Sequence, residues 1–332
     1  MLRPYGNFPV ISQRAKIIKR NLYEMRIAIV GPGAMGCLFA GLLVESGQDD
    51  VWLVDKNQSR ASELNKNGLT IEGVGGIRTI TGIQVTSCPD EIEYADLILI
   101  CVKSYDTLKA TNSIARIVGD DTVILTLQNG LTNVEIISSI LGKDKILAGI
   151  TSHGATMLDV GYIRHAGVGD TVIGKPFKSE MITEKKVEDI AEILKSAGFL
   201  PKISDNIWSF IWGKLIINSA INPITAITKL TNGELPKHEE TKRLLRMTVQ
   251  ESAQVAYASH ISLPYDDPVS AVELVCRSTA LNVSSMLQDI LKLKQTEIDA
   301  INGAIIDNGR EFGIETPINQ ALTYLVKSIE SR

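Results

Sequence analysis

The chain has 332 residues, 44% of them hydrophobic and 22% charged, with a formal charge of −4. This length admits two domains and the composition is that of a globular protein, with no repeat or low-complexity tract. Residues 1–24 carry Arg3, Arg14, Lys16, Lys19 and Arg20 against Glu24, a net +4, which leaves −8 on residues 25–332. Such an acidic body exerts no general attraction on nucleic acid or an anionic membrane, so any phosphate it binds must be held by local geometry.

The four cysteines, Cys37, Cys88, Cys101 and Cys276, have neither the paired spacing of a zinc site nor the density of a disulfide framework. A reducing, cytoplasmic setting without a bound metal is expected. A basic segment before the uncharged run 27–44 resembles a signal peptide or membrane anchor. Gly31, Pro32, Gly33 and Gly36 interrupt that run, however. Residues 1–24 are therefore read as a non-essential extension, and the first domain as residues 25–204.

Met25–Val30 is a β-type run ending in Gly31-Pro32-Gly33-Ala34-Met35-Gly36, followed by an apolar helical pattern to about Glu45 and a second strand, Val51–Asp55. Strand, glycine loop, helix, then strand with a terminal acid about 20 residues on is the dinucleotide-binding order. Gly31 lets the chain turn, Gly33 admits a pyrophosphate to the backbone, and Gly36 lets helix pack on strand. The helix N-terminus then offers free N–H groups to the anion. Asp55 favours the free ribose hydroxyl of NAD, whereas a neighbouring cation such as Lys56 favours the phosphate of NADP. The residues leave both open.

Residues 68–86 suggest a short hairpin insertion. Ala95–Val102 reads as a buried strand ending at Lys103, and Thr122–Leu127 as another ending in Gln128-Asn129-Gly130. Ligands bind beyond the carboxyl ends of parallel strands, which puts Lys103 and Asn129 at the functional edge. Ile146–Met157 and Tyr162–Lys175 read as further strands. His153 and His165 fall within them and are taken as packed structural residues outside the site. Residues 182–198 form an amphipathic helix.

From residue 205 the pattern is all-helical. Within residues 205–222 almost every position between Trp208 and Ile221 is apolar, yet the stretch carries Lys214, Asn218 and Asn222 at i, i+4 and i+8. Each step of four advances only about 40° around a helix, so the three form one polar stripe. Burying an ammonium and two amides without partners costs several kcal/mol, so the stripe faces either a satisfied network or a wet cleft. Asn222-Pro223 is expected to end or kink this helix. Further helices are expected at 238–260, 266–277 and 281–290. After a break at 291–295, the capping-box-like spacing of Thr296 and Asp299 places Glu297 in a first helical turn. Ser284 and Ser285 suit helix caps.

Taken together, the glycine loop, Val102-Lys103, Gln128-Asn129-Gly130, Trp212-Gly-Lys-Leu with Asn218 and Asn222-Pro-Ile-Thr-Ala, Asn232-Gly-Glu-Leu, Asn282-Val-Ser-Ser-Met-Leu-Gln-Asp289 and Thr296-Glu-Ile-Asp-Ala-Ile-Asn-Gly303 resemble the ketopantoate reductase (2-dehydropantoate 2-reductase) family from Met25 to about residue 325. The resemblance implies an α/β fold, with an N-terminal Rossmann-type, mostly parallel sheet and an all-helical C-terminal domain over residues 205–332. It implies reduction of ketopantoate to pantoate with NADP(H), NAD being left open by Asp55. Lys214 would be the general acid, with Glu297 binding substrate and orienting the lysine. Asn218, Asn222, Asn282 and Ser285 would hold substrate oxygens. Asn129 would lie between cofactor and substrate, and Lys103 near the cofactor's phosphate and ribose. Two other readings share these residues: another β-hydroxyacid-type dehydrogenase, or a dinucleotide-binding sensor without turnover. The sequence leaves a homodimer open.

Overall fold

The computed structural model describes residues 25–331; the extension expected at 1–24 lies outside them. The first half contains strands β1 (Ile27–Val30), β2 (Val51–Val54), β3 (Leu69–Gly73), β4 (Arg78–Ile80), β5 (Gln84–Thr86), β6 (Ala95–Ile100), β7 (Val118–Thr126), β8 (Ile146–Thr151), β9 (Gly154–Asp159), β10 (Tyr162–Gly167), β11 (Thr171–Gly174) and β12 (Pro201–Ile203). Between them run helices α1 (Ala34–Glu45), α2 (Gln58–Asn67), α3 (Thr107–Ser113), α4 (Thr132–Leu141) and α5 (Glu184–Ser196).

Eight strands make one sheet in the order β12-β11-β8-β7-β6-β1-β2-β5. It is parallel from β5 to β8, with Ile27 of β1 in register with both Val51 and Leu97, and β11 then joins β8 antiparallel. This is the Rossmann order, with the reversal point between β1 and β6. Both faces are covered, and the strands accordingly read as continuous apolar runs. Ala28, Val30, Ile98 and Ile100 face one core, Ile27, Ile29, Leu97 and Leu99 the other.

The sequence runs 146–157 and 162–175 each divide between two sheets. β8 and β11 belong to the large sheet, whereas β9 and β10 pair with β3 and β4 in a separate sheet of order β4-β3-β10-β9. The hairpin expected at 68–86 is β3 and β4; its last residues, β5, return to the large sheet. This small sheet packs on α1 where Gly41 lies, since a side chain there would meet Ile71, Ile80 and Leu69 within about 3 Å.

The second half is helical: α6 (Ile207–Thr228), α7 (Glu239–Ala258), α8 (Pro268–Ser278), α9 (Ser285–Leu291), α10 (Ala304–Glu311) and α11 (Pro317–Glu330). α6 is long and apolar enough to cross a bilayer, but it is mostly buried, packed against α7, α8, α9 and α11 and against β8 of the sheet. Its residues share one core with a face of that sheet.

Two local expectations differ from the structure. α6 does not stop at Pro223 but continues to Thr228, and the Ser219 carbonyl left without a backbone donor is bonded by the side chain of Asn302 at 2.9 Å. The capping box at Thr296 does not form either. Its N–H goes to Glu330 at 2.6 Å, Asp299 pairs with Lys327 at 2.6 Å, and Glu297 lies in a bend just before a π-helical turn at Asp299–Gly303. A distant carboxylate thus supplies what the local one was expected to give.

In the glycine loop a Cβ on Gly36 would stand 2.0 Å from the Gly31 carbonyl oxygen. Gly36→Ala is therefore expected to force the loop from the helix, costing about 1–3 kcal/mol of stability by overpacking and weakening dinucleotide binding. Urea denaturation and cofactor titration check this; an unchanged midpoint with unchanged affinity would contradict it.

Candidate active site

A cleft of about 1650 Å³ runs between the carboxyl ends of β1, β2, β6 and β7 and the helical half, from Lys56 past the glycine loop to Glu297. At one end Gly31 turns with φ +104°, a conformation that suits glycine, and its absent side chain leaves room for Val102. A side chain at Gly33 would meet nothing within 4 Å, so the backbone there is open to a ligand. Gly33 begins α1 without a side-chain cap, leaving the N–H groups of its first turn to the cleft. These features fit a dinucleotide pyrophosphate, held by the backbone of Gly31–Gly36.

At the end of β2, Asp55 lines the cleft but is fully buried. Arg60 grips both its oxygens, at 2.6 Å to Oδ1 and by a second bond from Nε to Oδ2, and the Asn57 N–H adds a bond at 2.9 Å. Lys56 is exposed and pairs with Asp106 at 2.9 Å. Arg60 borders the cleft beside it. Sequence reading missed Arg60, although its place one turn into the helix after Asp55 was a usable signal.

The polar stripe of α6 faces the cleft. Lys214 donates to the carbonyl of Thr151, the last residue of β8, at 2.7 Å. Loss of water around the ammonium lowers its pKa from 10.5 to about 8, while the charge of Glu297 acts in the opposite direction. Glu297 is buried and makes no direct bond to Lys214. Its Oε1 accepts from the Ser104 backbone N–H at 2.9 Å; its Oε2 accepts from Lys103 at 3.4 Å and stands 3.5 Å from Asn129 Nδ2. Asn218 in turn lies 3.5 Å from Asn129 Oδ1, at the limit of a hydrogen bond. Asn129 thus bridges the α6 stripe and Glu297.

Lys103 turns toward the helical half, bonded to Asp289 at 2.6 Å as well as to Glu297. Burial pulls its pKa down, and the two carboxylates more than offset that, leaving it raised. Burial likewise raises Asp289, against the pull of Lys103. Asn129 is fixed by its loop: Gln128 donates to Val102 O at 2.7 Å and Thr107 at 2.8 Å, and Asn133 to the Asn129 carbonyl at 2.7 Å. Gly130, at φ +94°, lies so close to Ala300 that a side chain there would strike its carbonyl.

Asn222, Asn282 and Ser285 border the same cleft. Asn222 is buried on α6, whereas Asn282 is exposed on the loop before α9. That loop is held by the Asn232-Gly233 turn, which donates to the carbonyls of Asn282 (3.1 Å) and Ala280 (3.0 Å). Ser284, not Ser285, caps α9 through the Leu287 N–H at 3.1 Å, which leaves Ser285 on the cleft side. The Thr151 carbonyl, the Ser104 N–H and Asp289 were not singled out from sequence. The first two are backbone groups with no residue-type signature.

His153 also borders the cleft, two residues beyond Thr151. Its ring is buried, stacked on that of His165 and bonded to it through Nδ1 and Nε2 at 3.2 Å. The opposite nitrogens, His153 Nε2 and His165 Nδ1, have no protein partner. Burial holds both pKa values below the usual histidine range; mutual repulsion adds to this at His153 and Arg78 at His165. The unfolded chain therefore binds more protons in acid, so stability should fall as pH drops below about 6.5. Urea midpoints at pH 7.5 and 5.5 should differ less for the His153→Gln, His165→Gln double variant than for the parent. An equal drop in both proteins would contradict this.

With this geometry, two family descriptions match the chain: ketopantoate reductase PanE/ApbA over residues 27–177, and its C-terminal part over residues 206–330. The 2-dehydropantoate 2-reductase of Archaeoglobus fulgidus is 35% identical, over 92% of this chain and 98% of that protein. The enzyme of the same name from Pyrococcus horikoshii is 37% identical with the same coverage. A crystal structure of a PanE/ApbA family ketopantoate reductase from Ralstonia eutropha JMP134 superposes with a TM-score of 0.84 at 32% identity, covering 92% of this chain and 99% of that one. D-mandelate dehydrogenase with NADH and anilino(oxo)acetate gives 0.85 at 30% identity, covering 92% and 98%.

Proposed function

This chain belongs to the ketopantoate reductase family, and from that premise we propose that it reduces the C2 ketone of 2-dehydropantoate to pantoate, on the route to pantothenate and coenzyme A, with NADPH as cofactor. The observation that carries the reading is a desolvated lysine on the same cleft as the glycine loop, with a buried carboxylate close enough to act on its charge.

Gly31–Gly36 would hold the dinucleotide, whose chemistry when bound would be hydride donation to the ketone carbon. Negative charge then develops on the ketone oxygen. Lys214 places an ammonium there in advance, which stabilises that charge without reorganisation, and hands over its proton to give the hydroxyl. A pKa of about 8 suits this role, because the group is charged at neutral pH and still gives up its proton readily. The Thr151 carbonyl fixes the ammonium. Glu297 keeps it protonated and, with Asn218, Asn222, Asn282 and Ser285, binds the oxygens of the substrate. Asn129 connects the two walls.

NADPH is favoured over NADH by the end of β2. Arg60 engages both oxygens of the fully buried Asp55, so that carboxylate is not free to accept from a ribose hydroxyl. Lys56, exposed and paired only with Asp106, and the outer edge of the Arg60 guanidinium are placed to donate to a ribose phosphate. The close superposition on D-mandelate dehydrogenase supports a second reading, a 2-keto acid with an aryl side chain. Comparing kcat/KM for ketopantoate and benzoylformate decides between them, and a preference for the latter overturns the first reading. A dinucleotide sensor without turnover would have no use for the Lys214–Glu297 pair.

Lys214→Ala should lower kcat by roughly 10²–10⁴-fold with cofactor affinity nearly unchanged. In the parent enzyme kcat should decline as pH rises through about 8, since the acid must carry its proton. Lost cofactor binding with intact turnover would contradict the assignment. Arg60→Ala should raise KM for NADPH and leave KM for NADH little altered; equal effects on both would remove the case for NADPH.

A further inference from the structure

Pro223 lies inside α6, next to Asn222 of the polar stripe. A proline there lacks the N–H that would close onto the carbonyl four residues back, that of Ser219, and ordinarily kinks or breaks a helix. α6 continues for five residues beyond it. The missing donor is replaced from outside the helix: Asn302 Nδ2 donates to Ser219 O at 2.9 Å. The same amide donates to Oδ1 of Asn319 at 2.9 Å, and the Asn319 amide is itself bound by Glu251 at 2.9 Å. Asn302, Ser219 and Asn319 are fully buried, where a carbonyl without a donor is costly.

We infer that Asn302 is a positioning residue for the proposed reduction, standing in for the peptide N–H that Pro223 lacks and so keeping Lys214, Asn218 and Asn222 in one line along the cleft. This rests on α6 being the substrate-binding helix. The turn from Ser219 to Pro223 overlaps the one from Asn218 to Asn222, so a bend here would rotate Asn222 away from Lys214 and Asn218. Asn302 belongs to the π-helical turn Asp299–Gly303, a form of helix that recurs at functional sites. Glu297 lies just ahead of it on the same segment. One short stretch therefore sends a carboxylate into the cleft and an amide to the back of the helix across it.

The test uses Asn302→Leu, Pro223→Ala and their combination in the full chain. Asn302→Leu should lower kcat/KM for ketopantoate about tenfold or more, the scale of an unsatisfied buried carbonyl, with NADPH affinity unchanged. Amide hydrogen exchange over residues 219–226 should quicken. Pro223→Ala restores a backbone donor to Ser219, so in the Asn302→Leu background it should recover most of the turnover and the slow exchange. A role in stability alone would lower the melting temperature and leave kcat/KM of the folded enzyme at the parent value. That outcome, or a loss that Pro223→Ala fails to recover, overturns the inference. If Asn302→Leu does not fold, Asn302→Asp, of the same shape without the amide donor, is read in the same way. Absence of ketopantoate turnover in the parent would defeat the proposed function, while the exchange measurement would still decide whether Asn302 braces α6.

Discussion

The ammonium of Lys214 is the group whose needs shape the surrounding structure. It projects from a helix that buries Trp212, Leu215, Ile216 and Ile221, in surroundings that pull its pKa down to about 8. Burial alone drives such a group toward its neutral form. Here one backbone carbonyl accepts from it, and the charge of Glu297 favours its protonated form without direct contact. Both partners are arranged by the other half of the molecule. The carbonyl comes from the end of β8, and Glu297 is held by the Ser104 N–H, Lys103 and Asn129 of the dinucleotide-binding half. Neither half contains a complete site.

The halves are accordingly joined by polar contacts as well as apolar ones. Lys103 is drawn between Asp289 and Glu297, and Asn129 sits between Glu297 and Asn218. The apolar contact is the core shared by α6 and one face of the sheet. An ion pair such as Lys103–Asp289 is weak evidence of stability, because desolvation offsets much of its attraction. Its clearer consequence is geometric: it ties the loop after β6 to α9 at the place where substrate oxygens would be held.

Much of this was legible in the sequence wherever the cause is local. The glycine loop depends on space and backbone conformation within six residues, and the stripe at 214, 218 and 222 depends only on helical spacing. The order of strands and the all-helical second half likewise follow from apolar runs and their lengths. The expectations that changed depend on distant partners. Periodicity showed strands at 146–157 and 162–175 but not that each would divide between two sheets, because sheet membership is decided by long-range pairing. Thr296 looked like half of a capping box until Glu330 took its N–H. Pro223 was expected to end or kink the helix; that the helix runs on to Thr228 was not legible because the amide of Asn302, which replaces the missing donor, lies far along the chain. At the end of β2 the local pattern left the cofactor open between Asp55 and Lys56, and Arg60, five residues past Asp55, was the local signal passed over.

Lys214 is thus a desolvated ammonium whose charge Glu297 sustains without touching it. The most direct measurement is an NMR titration of the Lys214 side chain in the parent protein and in Glu297→Gln. A titration near pH 8 in the parent, moving lower when the carboxylate becomes an amide, is the predicted result. A lysine titrating near its ordinary value of 10.5 and indifferent to residue 297 would contradict the account.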